Sequence, residues 1–223
     1  MLNNHGFDLW ADNYDRSVNA ADENILYPFA GYRELLNIIY GTVMSKKPVS
    51  VLDIGIGTGT LAYKLYEGGN QITGIDFSNV MLEKARSRMP GAVLIEFDFS
   101  KGLPKEVQAV KYDFVISTYA LHHLSDTEKV SFIRFVLNII RDSGMIIIGD
   151  VSFQNRDDLE KCRASCDDEW DDDEYYFVFS ELHEALRNEC SLTYQQISHC
   201  AGLLEILPIT QKHEKTIMQS PGG

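Results

Sequence analysis

Asp53-Ile54-Gly55-Ile56-Gly57-Thr58-Gly59 joins an acid to three glycines at alternate positions. Residues without side chains let a ligand approach the main chain closely, and amides at a strand-to-helix turn can hold a polar group. The dinucleotide fingerprint would place its third glycine at position 60, which is Thr60. The loop therefore points to a nucleoside cofactor, and less clearly to NAD. Asp76 lies 21 residues after Gly55 and is followed by Phe77. An acid at that spacing can accept hydrogen bonds from both hydroxyls of a ribose. Its bland alternative is a helix N-cap, a task that Ser78 can take instead. Asp98 can accept from an exocyclic amine such as the adenine N6, with Phe99 against the purine ring; the alternative is an acid in a surface turn. Thr118, Tyr119, His122 and His123 follow one another closely. A histidine here could serve as a general base, although a packing pair bonded to backbone is the commoner use of such residues.

These residues need a scaffold, and the hydrophobic pattern supplies one. Val49–Ile54, Gln71–Ile75, Ala92–Glu96, Tyr112–Ser117 and Met145–Ile148 read as buried strands, alternating with helical stretches at Leu61–Glu67, Asn79–Arg88 and Asp126–Arg141. Near-continuous apolar strands separated by helices indicate a parallel sheet covered on both faces. Ligands of such sheets sit at the carboxyl ends of the strands. Those ends deliver Asp53 with its glycines, Asp76, Asp98, the Ser117–His123 segment and Asp150. Further on, Asp157–Cys166 and Glu181–Asn188 look helical, and Ser191–Ile197 and Leu203–Leu207 read as late strands forming an antiparallel edge. The expected fold is α/β and Rossmann-like, with seven mostly parallel strands. A single domain is expected over 1–210, with a helical cap at 1–48, a cofactor-binding core at 49–151 and substrate-side helices and edge strands at 152–210. Residues 211–223 read as a tail.

The net charge of −13 argues against nucleic acid as substrate and against anionic membranes. No apolar run approaches the ~20 residues of a membrane span, and the first residues lack the basic and apolar regions of a signal peptide. A cytoplasmic protein is expected. Cys162, Cys166, Cys190 and Cys200 form no Cys-x-x-Cys pair and read as reduced thiols. No metal site is expected; Cys162 and Cys166 with a distant His would be a poor candidate. The acidic run Asp167–Glu174, with Trp170, Tyr175, Tyr176 and Phe177 in and beyond it, reads first as a solvated face. Its carboxylates and aromatics could also attract a cationic acceptor.

Five segments together resemble the class I S-adenosylmethionine-dependent methyltransferases: Val51–Gly59, Ile75–Ser78, Asp98-Phe99, Tyr112–Ser117 and Arg141–Ile148. Phe7–Val18 and Ser117–Leu124 are further similar to a small bacterial branch of uncharacterised methyltransferases. The resemblance implies S-adenosyl-L-methionine as cofactor and methyl transfer to a small-molecule acceptor. It implies that Gly55, Gly57 and Gly59 approach the methionine moiety, that Asp53 orients the loop, that Asp76 holds the ribose and that Asp98 and Phe99 hold the adenine. Tyr14 would cap the cofactor near its carboxylate, with Arg16 adding charge. His123 becomes the preferred catalytic histidine, because in similar methyltransferases the second His of this loop faces the cleft, and Tyr119 would line the same pocket. Two departures from the family pattern are Thr60, ahead of Leu61, and Ser143 in the turn before the fifth strand. An NAD-dependent oxidoreductase and a non-catalytic S-adenosylmethionine-binding protein are the alternatives. Oligomeric state is left open, a homodimer being one state the sequence allows.

Overall fold

The computed structural model describes residue 18, residues 26–166 and residues 169–209. Tyr14, Arg16, most of the Phe7–Val18 segment and the 211–223 tail lie outside the described residues. Seven strands form one sheet in the order β3 (Val93–Glu96), β2 (Gln71–Asp76), β1 (Ser50–Ile54), β4 (Tyr112–Thr118), β5 (Ile140–Phe153), β8 (Ala201–Pro208) and β7 (Cys190–Gln196). The first five are mutually parallel, while β8 runs antiparallel to both β5 and β7. An eighth strand, β6 (Phe177–Val178), pairs with Ser152 and Phe153 at the far end of β5. The two late strands form the expected antiparallel edge.

The sheet's two faces explain its composition. Val51 packs into one apolar cluster while Leu52 and Ile54 pack into the other. A central strand buried on both sides can carry few polar residues, which is why Asp53 stands out. Helices α1 (Tyr32–Met44), α2 (Thr60–Glu67) and α3 (Asn79–Arg88) give Leu35, Leu65 and Leu82 to the first cluster. Helices α4 (Lys105–Gln108), α5 (Asp126–Leu137) and α7 (Phe179–Leu186) give Val107, Phe132 and Leu186 to the second. Helix α6 (Arg156–Cys166) follows β5 and buries Leu159 and Cys162. The four cysteines are free thiols. Helix α5 begins with a reciprocal capping box between Ser125 and Glu128.

Three boundaries depart most from expectation. Helix α5 stops at Leu137, four residues before Arg141, and β5 begins at Ile140 rather than Met145. Ile139 and Ile140 fit either period, and pairing of Ile140 with Tyr112 settles the matter in favour of a strand. At its other end β5 runs to Phe153, beyond the expected Ile148. Gly149 sits where α1 crosses β5; a Cβ there would lie 2.2 Å from Leu35 Cδ2.

Candidate functional site

All three glycines of the loop have positive φ: 72° at Gly55, 55° at Gly57 and 76° at Gly59. Side-chain residues rarely adopt this backbone, so the alternate glycines are a conformational requirement. Added side chains would also meet different surroundings. A Cβ at Gly55 would lie 2.4 Å from Ala120 Cβ, and one at Gly59 would lie 2.8 Å from Met89 Cε. A Cβ at Gly57 would meet no atom within 4 Å, so that side of the glycine faces open space. Asp76 ties the loop to the second strand: its Oδ2 accepts from the Gly57 amide at 2.8 Å and its Oδ1 from the Ser78 amide at 2.9 Å. Ser78 Oγ accepts from Met81 N and caps α3, the task that sequence reasoning had set against a cap role for Asp76. A carboxylate can accept about four hydrogen bonds, so backbone anchoring is compatible with ribose binding.

Asp53 is 3% exposed, and its buried Oδ1 has no hydrogen-bond partner. Burial, with the charge of Asp76 nearby, pushes its carboxyl up to about 8. A cationic group entering the cleft would relieve both costs. One cleft at the carboxyl ends of the strands is bordered by Asp53, Gly55, Gly57, Asp76, Phe77, Phe99, Thr118, Tyr119 and His123, whereas Gly59 packs toward Met89 and Ala85. Of the expected adenine pair, only Phe99 borders it. Asp98 instead caps a 3₁₀ turn, with its Oδ1 accepting from Ser100 N at 3.0 Å and Ser100 Oγ at 2.6 Å and its Oδ2 3.0 Å from Lys101. Partial burial alone would raise its carboxyl, but these bonds hold it below its ordinary value. Thr60 opens α2 directly after Gly59.

Tyr119 has φ 49°, a conformation few non-glycine residues hold. Its ring lies 5.1 Å from that of Phe29 and 5.5 Å from that of Tyr32, and Tyr32 borders the cleft beside it. His122 and His123 lie on a 3₁₀ turn, with ring centroids 4.3 Å apart. His123 borders the cleft, and burial together with His122 lowers its imidazole to about 4. It is therefore neutral at pH 7. His122 Nδ1 lies 2.7 Å from Oδ1 of Asp150, which is fully buried near the end of β5. Its Nε2 lies 3.4 Å from Glu174 Oε1. Burial lowers His122, but the Asp150 carboxylate outweighs it and the net shift is upward.

Glu174 belongs to the acidic run, and that run divides. Glu169, Asp171, Asp172 and Asp173 are exposed, with Asp172 paired to Arg163 at 2.6 Å. Glu174 turns inward, and the Tyr175 amide donates to the His122 carbonyl at 2.8 Å. The nearly buried Lys129 ammonium donates to the Tyr175 carbonyl and so pins this cover to α5. Trp170 stacks on Tyr27 at 5.4 Å, and the hydroxyls of Tyr27 and Tyr176 hydrogen-bond to each other. Sequence reasoning set Asp150 and His122 at neighbouring strand ends without joining them, and it placed Glu174 on a solvated face. The signal available was that both strand ends carry a titratable residue.

A methyltransferase domain model matches residues 51–144. An uncharacterised methyltransferase of Geobacillus kaustophilus is 37% identical over 184 residues, spanning 79% of this chain and 82% of its own. One of Geobacillus thermodenitrificans is 36% identical over 214 residues, spanning 92% and 96%. Among solved structures, DhpI in complex with SAH superposes with a TM-score of 0.68 at 17% identity, covering 92% of this chain and 94% of that one. Magnesium protoporphyrin IX methyltransferase of Synechocystis with bound SAH gives 0.65 at 17% identity, covering 81% and 85%. At these identities the structural likeness shows the fold.

Proposed function

This chain belongs to the class I S-adenosylmethionine-dependent methyltransferases, and from that premise we propose that its acceptor is a small molecule. The oxidoreductase and non-catalytic readings give way to that membership. The observation that carries the proposal is the border of the cleft: Tyr32 and Tyr119, the second packed on Phe29, line it beside the glycine loop and His123. The charge of −13 weighs against a nucleic-acid acceptor.

The cofactor, when bound, supplies a methyl group made electrophilic by its sulfonium. The chain's own residues position and desolvate. Gly57 offers backbone with open space in front of it, and Asp53 and Asp76 present negative charge to the cofactor's ammonium and ribose. Phe77, Phe99 and Thr118 would border the adenosyl group. Tyr32 and Tyr119 would shield the transferring methyl from water on their side of the cleft, and in-line displacement depends on orientation. His123, neutral at pH 7, presents a nitrogen that can accept a hydrogen bond from the acceptor and orient its nucleophilic atom. A base lowered to about 4 gives little driving force for proton removal, so orientation is its main contribution.

Calorimetry with S-adenosylhomocysteine and with NAD tests the cofactor; heat from NAD alone would sink this reading. For the acceptor, S-adenosylmethionine carrying a deuterated methyl group is incubated separately with metabolite, protein and RNA fractions of a bacterial extract. Label is expected in the metabolite fraction, and label confined to RNA or protein overturns the small-molecule proposal.

A further inference from the structure

We propose that His122, His123 and Glu174 form a binding site for one divalent transition-metal ion at the acceptor end of the cleft. Each of the three offers one ligand atom, and these atoms all lie within 4.8 Å of one another. Metal–nitrogen and metal–oxygen lengths of ~2.0–2.2 Å put ligand atoms roughly 3–4 Å apart, so small side-chain rotations suffice to close the set.

An independent feature supports the first. Asp150 is fully buried and takes the Nδ1 side of His122 at 2.7 Å, while the Val151 amide donates to the same carboxylate oxygen at 2.8 Å. A carboxylate acceptor fixes the proton on Nδ1 and leaves the Nε2 lone pair facing outward. Metal-binding histidines are oriented in this way, by a carboxylate on the other ring nitrogen. That Nε2 confronts Glu174 Oε1 at 3.4 Å. A positive charge between these atoms, either a second imidazole proton or a metal ion, would satisfy both, and the approach of His123 to the same point favours the metal. None of the four cysteines takes part; the donor set is two imidazoles and one carboxylate, which suits zinc or iron(II).

The site's position gives it a task that rests on the methyl-transfer reading. His123 belongs to both the metal set and the cleft border, and with an ion bound its one lone pair goes to the metal, which then orients the acceptor in place of the direct hydrogen bond. Three protein ligands leave a coordination position open, and an acceptor hydroxyl could fill it. On coordination the hydroxyl would lose its proton to solvent. Its oxygen would form the bond to the methyl carbon as the carbon–sulfur bond breaks, and that electron pair would return to sulfur. The products are the methyl ether and S-adenosylhomocysteine.

The test uses the full chain purified without a histidine tag, stripped with chelator and then equilibrated with zinc or cobalt(II) chloride. Wild type should retain one ion per chain after desalting, and the cobalt form should show visible absorption. Glu174→Gln and His123→Ala should each weaken retention at least tenfold, and Asp150→Asn by roughly 10–100-fold. Glu174→Gln keeps the side chain's shape, so an unchanged melting profile in the metal-free state separates ligand loss from misfolding. Failure of wild type to hold stoichiometric metal, or equal retention by Glu174→Gln and His123→Ala, overturns the site. S-adenosylhomocysteine binding, measured on metal-free wild type, reports on the cofactor reading separately.

Discussion

At the scale of single residues, two carboxylates carry distinct expectations. Replacing Asp76 with Ala removes charged acceptors for the ribose and should weaken S-adenosylhomocysteine binding by roughly 1.5–3 kcal/mol, read by calorimetry. Because Asp76 also holds the Gly57 and Ser78 amides, Asp76→Asn is the gentler companion. Asp53 gives a pH signature. Its carboxyl stands at about 8 in the folded, ligand-free protein, above its ordinary 3.8. A raised group contributes stability that is full below the ordinary value and lost as pH rises through about 8. Ligand-free wild type should thus lose melting temperature from about pH 4 to about pH 8 relative to Asp53→Asn and level off above that. A bound ammonium would reverse the shift, so cofactor binding at pH 7 should release most of one proton, read by calorimetry in two buffers of different ionisation enthalpy. Absence of that release in wild type would separate Asp53 from the ammonium. The glycines, Asp53 and Asp76 were legible because spacing along the chain is their whole signal. Glu174 was not, since inside a run of acids only burial distinguishes the one that turns inward.

At the scale of elements, strands β1 to β4 and their helices were legible because a parallel sheet demands apolar strands and capped helices in alternation. The extension of β5 and the two-residue β6 were not, because both depend on partners far away in sequence: Tyr112 at one end of β5, Phe177 and Val178 at the other. Contact between α1 and β5 yields a pair of opposite predictions. Gly149→Ala pushes a methyl group against Leu35, which is fully buried and has nowhere to move, and should cost roughly 1–3 kcal/mol in urea unfolding. Gly41→Ala, in the same helix α1 with nothing within 4 Å, should instead stabilise by about 0.5–1 kcal/mol. If both mutations destabilise equally, the close approach at Gly149 is not what holds α1 in place.

At the scale of the whole molecule, no helix among the described residues is long and apolar enough to cross a membrane. The surplus of acids should repel polyanions, so added RNA should leave the rate on a small acceptor unchanged at both low and high salt. Inhibition by RNA that fades with salt would reveal a basic face that composition hides. Family and cofactor were readable from five short segments in order, whereas the acceptor chamber was not. Tyr32, Tyr119 and His123 border it, and they pack in turn on Phe29 and on His122, whose carbonyl holds the Tyr175 amide, so stretches far apart in sequence gain meaning only together.

Strand β5 runs unbroken from the sheet's interior to Asp150, which holds His122, and on to its pairing with β6. Beyond Asp150 it is still held on both sides, with Ser152 N bonded to the Cys200 carbonyl and Ser152 and Phe153 paired with β6. Amides of Val151–Phe153 should therefore exchange with deuterium as slowly as those of Ile146–Ile148, although they border the cover. A cover anchored on so unyielding a strand can change its clientele only through its own residues. Divergence of acceptor among related proteins should accumulate in the stretch between α6 and β6 and leave the strand beneath it alone.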